Sequence, residues 1–186
     1  GDDRVVQHVE CELPVADAPL EHGDQAGIVA LQLRGEALRI GAATTWSAIA
    51  AADLPPGLRA LQQAAGQIGG RQVQNAGTIG GNLCNASPAA DGVPPLLAAG
   101  AEVELVSEAG HRRLALADFL LGPRRTALEP GEVLAAVVIP AEGQGGRSAF
   151  LKLGARSHLV ISIAMVAARL VVEGGRVRTA AVAVGA

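Results

Sequence analysis

The run Gln74-Asn75-Ala76-Gly77-Thr78-Ile79-Gly80-Gly81-Asn82-Leu83-Cys84-Asn85-Ala86-Ser87-Pro88-Ala89-Ala90-Asp91 concentrates the residues whose types and spacing could do chemistry. Adjacent glycines, lacking Cβ, let backbone N–H groups approach a diphosphate closely. Thr78, Asn82 and Asn85 offer short polar groups to phosphate or ribityl oxygens, and Asp91 could accept from a sugar or ribityl hydroxyl. The same features also suit a tight turn between two packed elements, and spacing leaves both readings open. The run follows neither the Walker nor the Rossmann pattern, because no Lys-Ser/Thr follows the glycines and no Gly-x-Gly-x-x-Gly follows a strand.

Other reactive residue types are sparse. Cys84 reads as a small buried hydrophobe rather than a reactive thiol. His8, His22, His111 and His158 are scattered and read as surface residues. Ser87 stands near Asp91 without a Gly-x-Ser-x-Gly elbow, which argues against a hydrolase. Trp46, the only tryptophan, reads as a packing anchor. Cys11 and Cys84 are the only cysteines, too few for a disulfide framework or for an iron–sulfur cluster held by four thiolates, so any such cluster belongs to another chain.

The elements that must position the motif follow from local pattern. Residues 1–27 mix charge and proline without period. Residues 28–33 and 38–40 read as two strands around a turn at Arg34-Gly35-Glu36. Thr44 or Thr45 can cap a short helix through Ala51, and Pro55-Pro56-Gly57 breaks the chain before a second helix over 58–68. Residues 69–91, rich in Gly, Asn and Ser, read as one long shaped loop. A short helix through Ala98 starts at Asp91 or Pro94-Pro95, followed by a hairpin over 103–106 and 112–116 and a helical turn over 117–121. An apolar strand over 133–139 is closed by Pro140, and 142–147 reads as a linker. Beyond it, residues 161–172 could make a buried helix, but Glu173-Gly174-Gly175 and the β-branched run over 177–184 favour a long hairpin.

Composition bounds the class. The 186 residues suffice for one large domain or two small ones, and 49% are apolar with 2% aromatic and no tyrosine, so Ala, Val, Leu and Ile must fill the core. Scarce aromatics and a net charge of −3 argue against nucleic acid as a partner. No apolar run reaches the roughly 18 to 20 residues that span a bilayer, and no basic and apolar leader opens the chain, so the expectation is a cytoplasmic protein.

The central run resembles the second FAD-binding motif of the flavoprotein subunit of molybdenum hydroxylases of the xanthine and carbon monoxide dehydrogenase type, where Thr-Ile-Gly-Gly-Asn is followed by Ser-Pro and Asp. The resemblance extends to Arg39-Ile40-Gly41-Ala42-Ala43-Thr44-Thr45-Trp46, Asp118-Phe119, Gly122-Pro123-Arg124-Arg125-Thr126, Glu129-Pro130-Gly131-Glu132 and Lys152-Leu153-Gly154-Ala155-Arg156. It implies an α+β fold of the PCMH and CO-dehydrogenase flavoprotein type. Residues 1–27 are then a divergent N-terminal segment, 28–141 an αβ FAD-binding subdomain, and 147–186 the start of a β-rich C-terminal subdomain. It further implies FAD as cofactor, bound by Ile79 among others, with Thr78, Gly80, Gly81 and Asn82 lining the diphosphate, Asn85 and Asp91 on the ribityl and diphosphate side, and Leu134 and Lys152 nearer the isoalloxazine. The implied partners are a large subunit carrying the molybdenum cofactor and a small [2Fe-2S] subunit, with NAD among the acceptors. The family's first glycine loop, of Gly-Gly-Thr-Asp type, is not found in 1–27, and members continue past Ala186. The expectation is therefore a truncated or divergent member, whose rival reading is an assembly or relic domain of the same fold that does not retain FAD.

Overall fold

A computed structural model describes residues 31–34, 36–156 and 159–186. The expectations placed on 1–27 and on the strand start at 28–30 lie outside the described residues.

The first sheet is antiparallel throughout, in the order β1-β2-β7-β3-β4. Its strands are β1 (Leu31–Arg34), β2 (Ala37–Gly41), β3 (Glu102–Ser107), β4 (Gly110–Ala115) and β7 (Val133–Ile139). β7 is central because its run of β-branched and small residues is buried on both faces, as a central strand requires. Alternation places Leu38, Ile40, Val103, Leu105, Val137 and Ile139 in the main core. On the opposite face Arg39 reaches diagonally across β7, over the small Ala136, to Glu104, with Arg39 Nη2 donating to Glu104 Oε1 at 2.8 Å.

Helices cover the core face. Helix α1 (Trp46–Ala51) is capped by Thr45, whose Oγ1 accepts from Ala48 N, as one of the two expected caps. A 3-10 turn (Pro56–Leu58) leads into α2 (Arg59–Gln67), which has two buried rows. Leu61 and Ala65 enter the main core, while Ala60 and Ala64 face a second core with Phe150, Met165 and Ala167. Small side chains on α2 let both sheets approach one helix, which is how a chain with so few aromatics closes two cores. Helix α5 (Val93–Ala98) does the same, with Leu96 in the first core and Ala98 in the second.

Two segments differ from expectation. Residues 69–91 are not one loop: they contain α3 (Arg71–Ala76) and α4 (Ile79–Asn85). Glycine disfavours helix, yet α4 forms because Thr78 caps it and Ile79 and Leu83, one turn apart, are fully buried. Residues 142–147 are not a plain linker either, since Ala141–Gln144 form α7. Its Gly143 lies so close to the carbonyl of Ala99 that a Cβ would stand 2.0 Å from that oxygen. Between the sheets of the first half, α6 (Leu116–Phe119) gives the expected helical turn and leads into a small hairpin of β5 (Leu120–Gly122) and β6 (Arg125–Thr126).

The second sheet has the order β10-β9-β8, from β8 (Arg147–Leu153), β9 (Ala164–Glu173) and β10 (Arg176–Gly185). The long hairpin is present. Gly174 and Gly175 turn it with φ of 56° and 75°, the pair of positive φ values that a two-residue primed turn demands. The inward residues of β8 are Ser148, Phe150 and Lys152, and they meet α2: Ser148 Oγ accepts from Ala60 N and Phe150 N donates to Gln63 Oε1, each at 2.8 Å. Buried Arg169 of β9 donates to the carbonyls of Ala98 and Glu142, satisfying the C-terminal end of α5. Among the described residues no helix is long and apolar enough to cross a membrane.

Candidate functional site

The glycine pair sits in the first turn of α4, and the structure gives its two members different tasks. Gly80 is buried, and its N–H donates to Ala42 O at 2.8 Å. A Cβ there would lie 2.7 Å from Ala42 Cβ, so Gly80 allows the helix to seat on the chain after β2. Gly81 is exposed, with its N–H donating to the capping Thr78 Oγ1 at 3.1 Å. Ile79 N donates to Thr44 O. The three N–H groups of this turn are thus already paired within the protein, and the helix end presents shape and an open surface at Gly81 rather than three unpaired donors.

Two buried polar atoms lack a partner among the described residues, and both lie by this turn: Thr44 Oγ1 and Asn82 Oδ1. Thr44 is joined to the turn through its carbonyl. Asn82 Oδ1 points toward Gly92, where a Cβ would stand 2.8 Å from it and 2.5 Å from the Trp46 ring. Trp46, 2% exposed, is the packing anchor expected, and Gly92 makes room for it. A buried acceptor without a donor is costly, and a ligand hydroxyl would satisfy it.

At the other end of α4, Asn85 accepts from Arg124 through both its side-chain and main-chain oxygens. Arg124, in the β5–β6 turn with φ of 58°, also donates its main-chain N–H to Ala86 O. The hairpin is thereby clipped onto the helix end.

Asp91 and Lys152, proposed above for different parts of one ligand, meet each other. Lys152 Nζ donates to Asp91 Oδ2 at 2.6 Å, with both side chains 7% exposed, and also approaches Gln67 O at 3.3 Å. Ser162 Oγ donates to the other oxygen of Asp91. A cavity of about 350 Å³ opens beside Lys152, lined by Gln67, Gly69, Gly154, Arg156 and Val160 among others. Leu134 is 5% exposed and belongs to the main core, on β7. The structure therefore groups Thr78, Ile79, Gly80, Gly81 and Asn82 in one turn, adjoins Asp91-Gly92 to Asn82 and pairs Asp91 with Lys152, while Asn85 is held by Arg124 and Leu134 sits in the main core.

Sequence reasoning missed Ser162. A signal was present: Val160-Ile161-Ser162-Ile163 sets one hydroxyl in an apolar stretch, and a buried hydroxyl needs a partner.

An exposed glycine turn lies next to a buried acceptor that a sugar-like hydroxyl would satisfy, and Lys152 lines a cavity of its own. The family model described as "FAD binding domain in molybdopterin dehydrogenase" matches residues 26–142. The nicotinate dehydrogenase FAD-subunit of Eubacterium barkeri is 44% identical over 109 residues, covering 57% of this chain and 37% of that protein. The carbon monoxide dehydrogenase medium chain of Afipia carboxidovorans is 34% identical over 160 residues, covering 86% of this chain and 55% of that one. Among solved structures, reconstituted CO dehydrogenase from Oligotropha carboxidovorans superposes with a TM-score of 0.80 at 32% identity, over 86% of this chain and 56% of that one. The chain thus spans about a third to a half of the length of these proteins.

Proposed function

Because this chain belongs to the family of FAD-binding domains in molybdopterin dehydrogenases, we propose that it carries the FAD of a molybdenum hydroxylase and passes electrons arriving from iron–sulfur clusters to an acceptor such as NAD. The observation that carries the reading is Asn82 Oδ1, buried without a donor beside the exposed Gly81 in the segment that the family shares. FAD, when bound, supplies the ability to take up electrons and hand them on singly or in pairs. The chain's own residues bind and orient it. Thr78 holds the first turn of α4 in shape, Gly81 leaves the approach to that turn open, and Asn82 accepts from a cofactor hydroxyl. Lys152 lines the cavity, Asn85 is fixed by Arg124, and Leu134 supplies apolar backing from β7.

The proposed partners are a large subunit carrying the molybdenum cofactor and a small [2Fe-2S] subunit. On the outward face of the second sheet Leu151, Val182 and Val184 are 71%, 66% and 72% exposed, an apolar face that a partner, or the part of the relatives that this chain does not span, would cover.

The test is an absorbance spectrum of the chain after incubation with excess FAD and gel filtration. Flavin bands that travel with the protein, and are lost in Gly81→Val, support the reading. A folded but colourless protein would sink it and leave the assembly or relic domain as the better account.

A further inference from the structure

Lys152 projects from β8 toward α2, where its ammonium reaches Gln67 O, and the residue lines the cavity described above. Asp91 is not among the residues that line that cavity. It lies behind Lys152, 6% exposed, and each carboxylate oxygen has a donor: Oδ2 takes Lys152 Nζ at 2.6 Å, and Oδ1 takes Ser162 Oγ. Buried and outside the cavity lining, Asp91 acts on a molecule in that cavity through its neighbours. A lysine, in contrast, has three N–H donors, and Asp91 and Gln67 O use two. That leaves one N–H donor unassigned on a residue that lines the cavity, where Arg156 is a second cation, itself tied by a 2.7 Å bond to Leu159 O.

We propose that Asp91 and Ser162 are positioning residues that act through Lys152: Ser162 sets the plane of the Asp91 carboxylate, and Asp91 holds the Lys152 ammonium against the part of the flavin that this cavity receives. This rests on the FAD reading above. A flexible lysine stem would otherwise sample many rotamers, and a buried ammonium without a counter-charge would turn outward to water. The two-oxygen grip on Asp91 prevents both. Ser162 comes from the segment between the strands of the second sheet, Asp91 from the segment before α5, and Lys152 from β8, so one hydrogen-bonded chain aligns three separate elements.

The experiment compares FAD affinity and the midpoint potential of bound flavin in the wild-type chain, Ser162→Ala, Lys152→Met and the double variant, with thermal unfolding of each FAD-free protein as the check on folding. Ser162→Ala removes one oxygen from a folded scaffold and is expected to weaken FAD binding about tenfold, the worth of a hydrogen bond to a charged group. Its potential should shift in the same direction as that of Lys152→Met, and the double variant should bind no worse than Lys152→Met alone. Wild-type chain that fails to retain FAD would overturn the underlying reading, and this inference with it. Wild-type chain that binds FAD, with Ser162→Ala binding equally well or with losses that add in the double variant, would overturn this inference alone. A merely structural role for Ser162 would lower the thermal midpoint without moving the flavin potential.

Discussion

Lys152 Nζ lies 2.6 Å from Asp91 Oδ2 in a buried ion pair that joins the second sheet to the segment leading into α5. Removing one member of such a pair leaves the other charge buried, which costs far more than the pair contributes. Asp91→Ala strands the Lys152 ammonium and is expected to cost about 3 kcal/mol of stability in the FAD-free chain, read from urea unfolding. Lys152→Met should cost less, because Asp91 keeps Ser162 as a donor. Equal losses in the two variants would count against this asymmetry.

Glu132 gives a prediction in pH. Its carboxylate takes Arg112 Nε at 2.6 Å and Nη2 at 2.7 Å, and also accepts from Glu129 N. Arg112 foremost, with the Glu129 N–H second, lowers its pKa from 4.5 to about 2. A carboxyl whose folded pKa is depressed contributes stability that is present above its unfolded value and is lost as pH falls through the folded one. The thermal midpoint of the wild-type chain should therefore drop between pH 4.5 and about 2 by more than that of Glu132→Gln. Parallel pH profiles for the two proteins would rule this out.

A third test concerns the pair that crosses β7. Arg39 and Glu104 have side-chain exposures of 7% and 15%, and Arg39, through its hydrogen bond, holds the Glu104 carboxyl below its usual pKa range. Glu104→Leu deprives a buried guanidinium of its carboxylate and should cost about 3 kcal/mol, while Arg39→Met combined with Glu104→Leu should recover most of that loss. The measurement is a double-mutant cycle by chemical denaturation. If the double variant is less stable than Glu104→Leu, Arg39 stabilises the fold through contacts other than Glu104, and the two are not a mutually dependent pair.

What the sequence made legible was local. The β-branched run of β7 closed by Pro140, the Gly174-Gly175 turn and the Thr45 cap each signal their structure within a few residues, and each is where expected. Helix α4 was hidden because its Gly-Gly pair argues against helix, whereas Ala42 O and the burial of Ile79 and Leu83, contacts supplied from elsewhere in the fold, override that preference. The site divides in the same way. Thr78 to Asn82 stand together because they are neighbours in one turn. The Asp91–Lys152 pair links positions 61 apart, and no spacing rule reaches that far.

The glycine pair offers the sharpest separation of packing from ligand access. At Gly80 an added Cβ would meet Ala42 Cβ at 2.7 Å and Ala42 O at 2.8 Å, with backbone on one side that cannot step aside. Gly80→Ala should destabilise the FAD-free chain by about 1–3 kcal/mol through overpacking. At Gly81 the one close neighbour of a Cβ among the described residues is Thr78 Oγ1 at 3.1 Å, on an exposed helical turn. There alanine's helix preference, up to about 1 kcal/mol over glycine, offsets the mild crowding, so Gly81→Ala should leave stability close to that of wild type. If Gly81 is glycine so that a cofactor can approach the turn, that same variant should bind FAD more weakly while melting normally, a combination that stability alone cannot produce. Flavin titration and thermal unfolding on the two variants read both quantities, and undiminished FAD affinity in Gly81→Ala would remove this turn from the binding surface.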